Sequence, residues 1–267
     1  NHSIYYMKIN IAIASHKRLN LIRKKTLKLL RKNNIDENIF IFVSPISWAD
    51  YIGLEKEYNG VKVIKSYNTI LETRNHIIDY FDEGERVIEI DDDITNIQTT
   101  EPKIKNKTVE NLKELFVSSF EKLGNNGLFG FNANINNYYA TGKDKLGLYS
   151  IVNSCCGYYN DKRIKLTCKE KEDFERCILF FKLRLPILKR CGYGINTRYW
   201  KNPGGIQDHY DFKHRIIVQS ECANALWFKY QDLCYMYVRA NGIVDIRFRY
   251  RSKDGGKTMN YDALKGK

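Results

Sequence analysis

The chain lacks the features that mark a membrane-spanning or disulfide-stapled protein. No run of apolar residues is long enough to cross a bilayer, and no secretory signal is visible. The 7 cysteines are odd in number, and none lies in a Cys-x-x-Cys pair, which argues against a disulfide framework or a zinc site. We therefore expect reduced thiols, no membrane span and a cytoplasmic location.

The chain also lacks an internal repeat, a low-complexity linker and a clear domain boundary. Its 267 residues and its hydrophobic fraction of 43% are ample for a buried core. We expect one domain that spans residues 7–267.

Acidic residues are scarce relative to basic ones. The chain has 44 Lys and Arg against 31 Asp and Glu, a formal net charge of +13. Such a balance indicates a polyanionic partner such as nucleic acid. The alternative is compositional: the chain is rich in Lys, Asn, Ile and Tyr, as products of AT-rich genomes are. The distribution of the charge is therefore more informative than its sum.

Basic residues concentrate in two segments, residues 17–32 and the region after residue 239. The second contains Arg247-Phe248-Arg249-Tyr250-Arg251, in which Arg alternates with aromatic residues. On a strand this alternation places the guanidinium groups of Arg247, Arg249 and Arg251 on one face, a ridge suited to nucleic-acid phosphates. The alternative is an ordinary solvated edge with its aromatic side chains turned inward.

Apolar strands alternate with amphipathic helices in the first half of the chain. This order predicts an α/β fold in which helices cover both faces of a parallel sheet, with ligands at the carboxyl ends of its strands. The second half is less regular and ends in a hairpin around Asn241-Gly242. The predicted strands are residues 8–14, 39–43, 61–64, 86–90, 128–135, 148–159, 235–238 and 243–250, and the predicted helices are residues 19–32, 73–81, 109–123, 171–182 and 212–230.

Three adjacent carboxylates, Asp91, Asp92 and Asp93, follow the apolar strand at residues 86–90. Like charges repel, and a divalent cation removes that penalty because Mg²⁺ and Mn²⁺ prefer carboxylate oxygens, water and phosphate. Alternation along an extended strand places Asp91 and Asp93 on one face. The alternative interpretation is a solvated acidic turn.

Several motifs occur in an order that resembles nucleotide-sugar-dependent glycosyltransferases of the GT-A fold. They are Ala14-Ser15-His16-Lys17-Arg18, Arg74-Asn75, the Asp triplet, Ser154-Cys155-Cys156-Gly157 and Glu170-Lys171-Glu172-Asp173. The resemblance covers roughly residues 8–180. It implies a GT-A type three-layer α/β sandwich with a mostly parallel central sheet and a C-terminal α+β extension. Residues 7–97 would form the nucleotide-sugar-binding half and residues 98–267 the acceptor-side half.

The resemblance also implies a binding site for a nucleotide-diphosphate sugar, a UDP-sugar in our prediction, together with Mn²⁺ or Mg²⁺. Its metal ligands would be Asp91 and Asp93, with Asp92 toward the sugar or a neighbouring loop, and His209 as a third ligand. Arg74 would pair with the diphosphate, and Ser15 and Arg18 would lie near the base or ribose. The alternatives are a structural role for His209 and a surface salt bridge from Arg74 to Glu72 or Asp79.

The acidic pair Glu172-Asp173 supplies the candidate base. An inverting displacement needs a group that takes the proton of the acceptor hydroxyl, and a carboxylate can do so. Asp173 is the first candidate and Glu172 the second. The alternative is that the pair caps a helix and complements its dipole.

The acceptor is predicted from the basic balance and the strand-Ile-Asp-Asp-Asp pattern. Together they resemble the glycosyltransferases associated with TET/JBP oxygenases, relatives of the base-J glucosyltransferase. This resemblance implies that the acceptor is a hydroxymethylated pyrimidine base in DNA. Two alternatives remain open: the same fold acting on a glycan, protein or lipid, and a non-catalytic nucleic-acid-binding module.

Overall fold

The computed structural model describes residues 7–137, 142–197, 212–240 and 242–249. Its strands are β1 Asn10–Ser15, β2 Ile39–Val43, β3 Val61–Lys65, β4 Arg86–Ile90, β5 Asn96–Thr99, β6 Leu128–Asn132, β7 Lys145–Leu146, β8 Cys155–Tyr159, β9 Ile187–Asn196, β10 Cys234–Val238 and β11 Val244–Phe248. Its helices are α1 Leu19–Ile22, α2 Lys28–Lys32, α3 Trp48–Tyr51, α4 Leu54–Glu57, α5 Ile70–Tyr80, α6 Leu112–Leu123, α7 Glu172–Lys182 and α8 Phe212–Lys229. A π-helical segment, Arg23–Leu27, joins α1 to α2.

The central sheet has 9 strands in the order β3-β2-β1-β4-β8-β6-β9-β5, with β7 paired to β9. Strands β1, β2, β3, β4, β6 and β9 run in one direction, and β5, β7 and β8 run in the other. The sheet is therefore mostly parallel. Strand β4 lies between β1 and β8, so that its carboxyl end is near the middle of the sheet edge where parallel sheets bind ligands.

Helices cover both faces of this sheet. Along β1, Ile11 and Ile13 belong to one buried cluster and Ala12 to the other, as the period of two in a strand requires. The first cluster includes apolar residues of α2 and α6, and the second includes those of α5, α7 and α8. Strands β10 and β11 form a separate antiparallel hairpin that packs against α8. The predicted three-layer α/β sandwich with a mostly parallel central sheet and a C-terminal α+β extension is confirmed.

Side-chain caps set where two helices begin. Helix α5 starts at Ile70, earlier than predicted, because the Thr69 hydroxyl accepts the Glu72 N–H at 3.2 Å. The Thr69 hydroxyl also donates to the Glu72 carboxylate at 2.7 Å, so a second hydrogen bond joins the capping residue to Glu72. Helix α6 starts later than predicted, because Asn111 caps it by accepting the Glu114 N–H at 3.0 Å. The cap on α5 matters for function, because it fixes the position of Arg74 one turn inside the helix.

Other elements differ from the sequence prediction. The strand predicted for residues 148–159 is restricted to β8, and β5, β7 and β9 were not predicted. Strand β9 contains Gly192, Gly194 and buried Arg190, so its sequence lacks a clean alternation of apolar and polar residues. A side chain at Gly194 would place its Cβ 2.3 Å from the Asn134 carbonyl oxygen. Among the described helices, none is both long and apolar enough to cross a membrane.

Candidate active site

The Asp triplet directly follows β4, and hydrogen bonds from two sides hold it in place. The Asp91 N–H donates to the Ser154 carbonyl at 2.9 Å, next to the start of β8. On the other side, the Thr26 hydroxyl donates to the Asp91 carbonyl at 2.7 Å and accepts the Ile94 N–H at 3.1 Å. Thr26 lies in the π-helical segment, and such insertions in helices frequently occur at functional sites. The backbone of the triplet is therefore fixed before any ligand binds.

Asp92 is the most deeply buried member of the triplet, and protein groups engage both of its oxygens. Ser15 donates to Asp92 Oδ2 at 2.6 Å, and Arg18 Nη1 donates to Oδ1 at 3.1 Å. The Tyr51 hydroxyl lies 2.8 Å from Ser15 Oγ and accepts the Arg18 N–H at 2.8 Å. Burial raises the pKa of Asp92 to about 6, although Arg18 and Ser15 oppose the rise. Burial also raises the pKa of Tyr51 to about 12, so this phenol stays protonated at neutral pH.

Asp91 and Asp93 present a different environment. The Asp91 side chain is 34% exposed, and its Oδ1 accepts a hydrogen bond from Arg74 Nη2 at 3.2 Å. Burial raises the pKa of Asp91 to about 7, with repulsion from Asp93 and Asp92 adding to the rise and Arg74 opposing it. Asp93 Oδ1 accepts the Thr197 hydroxyl at 2.8 Å, and Asp93 Oδ2 lies 3.8 Å from Arg18 Nη1. An added cation would relieve the repulsion within this cluster.

Arg74 joins the triplet to the start of α7. Its guanidinium donates to Glu89 at 2.6 Å, to Asp91 at 3.2 Å and to Glu172 at 3.3 Å. Burial works to lower the pKa of Arg74, but these carboxylates outweigh it and the pKa is raised. Arg74 is 5% exposed, so it does not form the surface salt bridge considered as the alternative. One buried cation thus lies between the carboxylates of Glu89, Asp91 and Glu172.

Glu89 is a supporting residue that the sequence prediction missed. It is fully buried in β4, where it pairs with Arg176 Nη2 at 2.8 Å and accepts the Tyr158 hydroxyl at 2.6 Å. Burial works to raise its pKa, but Arg176 and Arg74 lower it, so Glu89 is ionised at neutral pH. A signal was present in the sequence: a lone carboxylate inside the apolar strand Val87-Ile88-Glu89-Ile90 has to be paired when it is buried.

The acidic pair begins α7 beside Arg74. Glu172 Oε1 accepts from Arg74 and also from Asn153 Nδ2 at 3.4 Å. Asp173 Oδ1 accepts the N–H of the next residue, Phe174, at 2.8 Å, and the N-cap position of α7 is Lys171, which makes no side-chain capping bond. Burial and the neighbouring Glu172 raise the pKa of Asp173 to about 7, although Lys171 opposes this. Arg74 thus brings Glu172 close to Asp91, although the two residues are far apart in the sequence. Asp173 is the next residue of α7 after Glu172.

Lys171 connects this site to the C-terminal hairpin. Lys171 adopts a left-handed backbone conformation with φ of 66°, and its Nζ lies 2.5 Å from Oδ1 of buried Asp245 in β11. Asp245 also pairs with Arg239. Arg247 and Arg249 are exposed on β11 or directly after it, over the rings of Tyr237 and Tyr235 at 4.1 and 6.0 Å from the ring centroids. The remaining predicted site residues, His209 and Arg251, lie outside the described residues.

The carboxylates of the triplet are the candidate donor set for a metal ion. Within the described ranges, no three His, Cys, Asp or Glu side chains cluster as a metal-binding group. Mg²⁺ is commonly bound by only one or two carboxylates, with substrate phosphates and water as its other ligands. Asp91 and Asp93 are hard oxygen donors of this kind, and both oxygens of Asp92 are engaged by Ser15 and Arg18. The residues present therefore fit a Mg²⁺ or Mn²⁺ ion that is shared with a phosphate-bearing substrate.

Comparison with protein-family models finds no match, and comparison with curated proteins finds none either. Among solved structures, residues 1–349 of S. aureus TarS are 12% identical, with a TM-score of 0.49 over 83% of this chain and 66% of that one. A longer S. aureus TarS structure is 13% identical, with a TM-score of 0.47 over 83% of this chain and 40% of that one. The 4-diphosphocytidyl-2C-methyl-D-erythritol synthase of Anaerococcus prevotii DSM 20548 is 13% identical, with a TM-score of 0.43 over 74% and 91%.

The chain thus spans less than two thirds of either TarS structure. These comparisons do not support the resemblance to TET/JBP-associated glycosyltransferases.

Proposed function

We propose that the chain is a metal-dependent glycosyltransferase that moves a sugar from a nucleotide-diphosphate sugar to a hydroxyl acceptor with inversion. The observation that carries the proposal is the position of Arg74, which holds Asp91 of the triplet and Glu172 of the acidic pair within hydrogen-bonding distance of one guanidinium. The two motifs that such a transfer needs therefore meet at the carboxyl end of β4.

In this proposal Asp91 and Asp93 hold Mn²⁺ or Mg²⁺, with His209 as the predicted third ligand. A bound ion of this kind offsets the negative charge of the departing nucleotide diphosphate. Ser15 and Arg18 hold Asp92 and line the side of the site proposed for the nucleotide of a UDP-sugar. Arg74 fixes Asp91 and Glu172, and its direct pairing with the diphosphate stays a prediction.

Asp173 is the proposed base. Its pKa of about 7 suits a general base at neutral pH, because such a group is ionised in a large fraction of molecules and still basic enough to accept a proton. Asp173 would take the proton of the acceptor hydroxyl as the new glycosidic bond forms. Glu172 is the second candidate, but Arg74 and Asn153 already engage one of its oxygens.

The proposed acceptor is a hydroxymethylated pyrimidine in DNA. Two observations support it: the formal net charge of +13, and the exposure of Arg247 and Arg249 on the hairpin that Lys171 fastens beside the acidic pair. A base inside a duplex would have to leave the stack to reach Asp173.

The test is donor binding and donor hydrolysis with a panel of nucleotide sugars and Mn²⁺. We expect one donor to raise the melting temperature only when Mn²⁺ is present, and to be hydrolysed slowly without an acceptor. Asp93→Ala should abolish both effects while the fold survives. The control Asp36→Ala removes an exposed carboxylate that is distant from the triplet in the sequence, and it should keep both effects. Normal donor binding by Asp93→Ala would contradict the metal assignment, and no response to any donor would contradict the transferase.

A further inference from the structure

A basic groove lies beside the triplet and is separate from the residues that hold the donor. Its volume is about 730 Å³, and its walls come from the π-helical segment, α2 and the segment between residues 95 and 110. Five lysines line it, and Glu110 is the one acidic residue among the lining residues. The five lysines, named here the lysine groove, are Lys24, Lys25, Lys28, Lys32 and Lys107.

The lysines of this groove differ from their basic neighbours in having no acidic partner. Arg23 pairs with Glu57, and Arg31 lies over the ring of Tyr58. By contrast, none of the five groove lysines forms an ion pair within the part of the chain that the structure describes. The basic residues in the segment 17–32 therefore include two kinds: residues paired with other side chains, and lysines that face solvent.

The spacing of these lysines follows one helical face. Lys24, in the π-helical segment, and Lys28 and Lys32, in α2, are exposed and lie four residues apart, close to one turn of either kind of helix. Like charges at this spacing destabilise a helix. A row of uncompensated lysines is therefore a cost to the isolated protein, and an anionic ligand would remove it.

The groove is connected to the proposed metal site through the backbone. Thr26, which lies between Lys25 and Lys28, donates to the Asp91 carbonyl and accepts the Ile94 N–H. Thr95 and Asn96, the residues that follow the triplet turn, form part of the opposite wall. An anionic polymer in the lysine groove would therefore run alongside the turn that carries Asp91 and Asp93.

We propose that the lysine groove binds the phosphate backbone of duplex DNA. The described lining residues include no aromatic side chain, so the groove offers no platform for the stacked bases of a single strand. Lysines act as point charges for phosphate, and the helix axis from Lys24 to Lys32 is at most about 12 Å long, which corresponds to the axial rise of about three phosphates of one duplex strand at about 3.4 Å each. The proposal rests on the proposed DNA acceptor and adds the surface that positions it.

The experiment measures duplex binding by fluorescence anisotropy over a series of KCl concentrations. Lys24, Lys28 and Lys32 are replaced together by Gln, which has a similar helix propensity. The control replaces Lys56, Lys162 and Lys182, exposed lysines elsewhere, by Gln and so removes the same charge. Each phosphate contact contributes about −0.9 to the slope of log K against log salt, so the groove variant should flatten that slope by roughly two to three.

The control variant should keep the slope of the unaltered protein, and both variants should keep Mn²⁺-dependent donor hydrolysis. An equal loss of slope in both variants would overturn the proposal, because net charge alone would then explain binding. Absence of donor hydrolysis in the unaltered protein would instead count against the proposed glycosyltransferase. Failure of the lysine-groove proposal and failure of the proposed function are therefore distinguishable.

Discussion

Replacing Asp91 by Asn should stabilise the metal-free protein at alkaline pH and abolish its response to Mn²⁺. Asn has nearly the same shape, and its side-chain oxygen can still accept from Arg74, but it carries no charge. The substitution therefore removes the repulsion from Asp92 and Asp93 without opening a cavity. If Asp91 had only a structural role, the substitution would instead lower the stability of the protein, because interactions of the side chain would be lost.

The size of the expected stabilisation follows from the raised pKa of Asp91. A rise from 3.8 to about 7 corresponds to about 4 kcal/mol. Because the Asp91 side chain is 34% exposed, solvent screens much of this, and about 1–2 kcal/mol is a reasonable expectation. In a protein of this size that is a rise in melting temperature of roughly 2–8 °C.

The pH dependence has a defined sign. A carboxyl whose pKa is higher in the folded state than in the unfolded state binds its proton more tightly when folded, so ionising it destabilises the fold. For Asp91 the cost is absent below about pH 4, grows as the pH rises, and is complete above about pH 7. The advantage of Asp91→Asn should appear over this window.

Differential scanning fluorimetry from pH 4 to 8.5, with and without Mn²⁺ and the nucleotide sugar, measures both effects. At pH 8 the ligands should raise the melting temperature of the unaltered protein, and Asp91→Asn should not respond. The reasoning would be refuted if Asp91→Asn melted below the unaltered protein by the same margin at pH 5 and pH 8, as loss of a purely structural contact would produce.

Three further outcomes are expected. Asp173→Asn should lower the single-turnover transfer rate by at least about 10²-fold and leave donor binding unchanged. The transfer rate of the unaltered protein should rise with pH through about 7. A normal rate in Asp173→Asn together with a collapse of the rate in Glu172→Gln would exchange the roles of the two residues. Arg74→Met should cost about 3–5 kcal/mol in urea unfolding, because it leaves buried carboxylates without their shared cation, and a loss under about 1 kcal/mol would contradict that reading. Replacing Arg247 and Arg249 by Gln should flatten the salt dependence of DNA binding by about two slope units, and an unchanged slope would count against the arginine ridge.

The sequence predicted the α/β class and the position of the triplet because both depend on local patterns. The apolar strands β2 and β4 were predicted with the bounds that the structure shows, since central parallel strands are apolar on both faces. Strand β9 escaped prediction because its partners β5, β6 and β7 come from distant parts of the chain, and its own glycines and arginine break the apolar pattern.

The candidate site was predictable only in part. Each motif was visible in the sequence, but the sequence could not show that Arg74 would be buried among carboxylates rather than exposed on its helix. Long-range pairing of this kind depends on how α5 and α7 pack on the sheet. For the same reason, the link between Lys171 and Asp245 could not be predicted, because it joins two segments that are 74 residues apart in the sequence.

The π-helical segment at Arg23–Leu27 fixes the rotational phase of the helix that follows it. A π-turn holds one residue more than an α-turn, and one residue of an α-helix corresponds to about 100° of rotation. Deleting a single residue there would restore a regular helix, but it would turn buried Leu29 and Leu30 out of the core and carry Lys28 and Lys32 away from the groove. Chain length in this segment is thus set jointly by core packing, by the turn that carries the triplet and by the direction in which the lysines point.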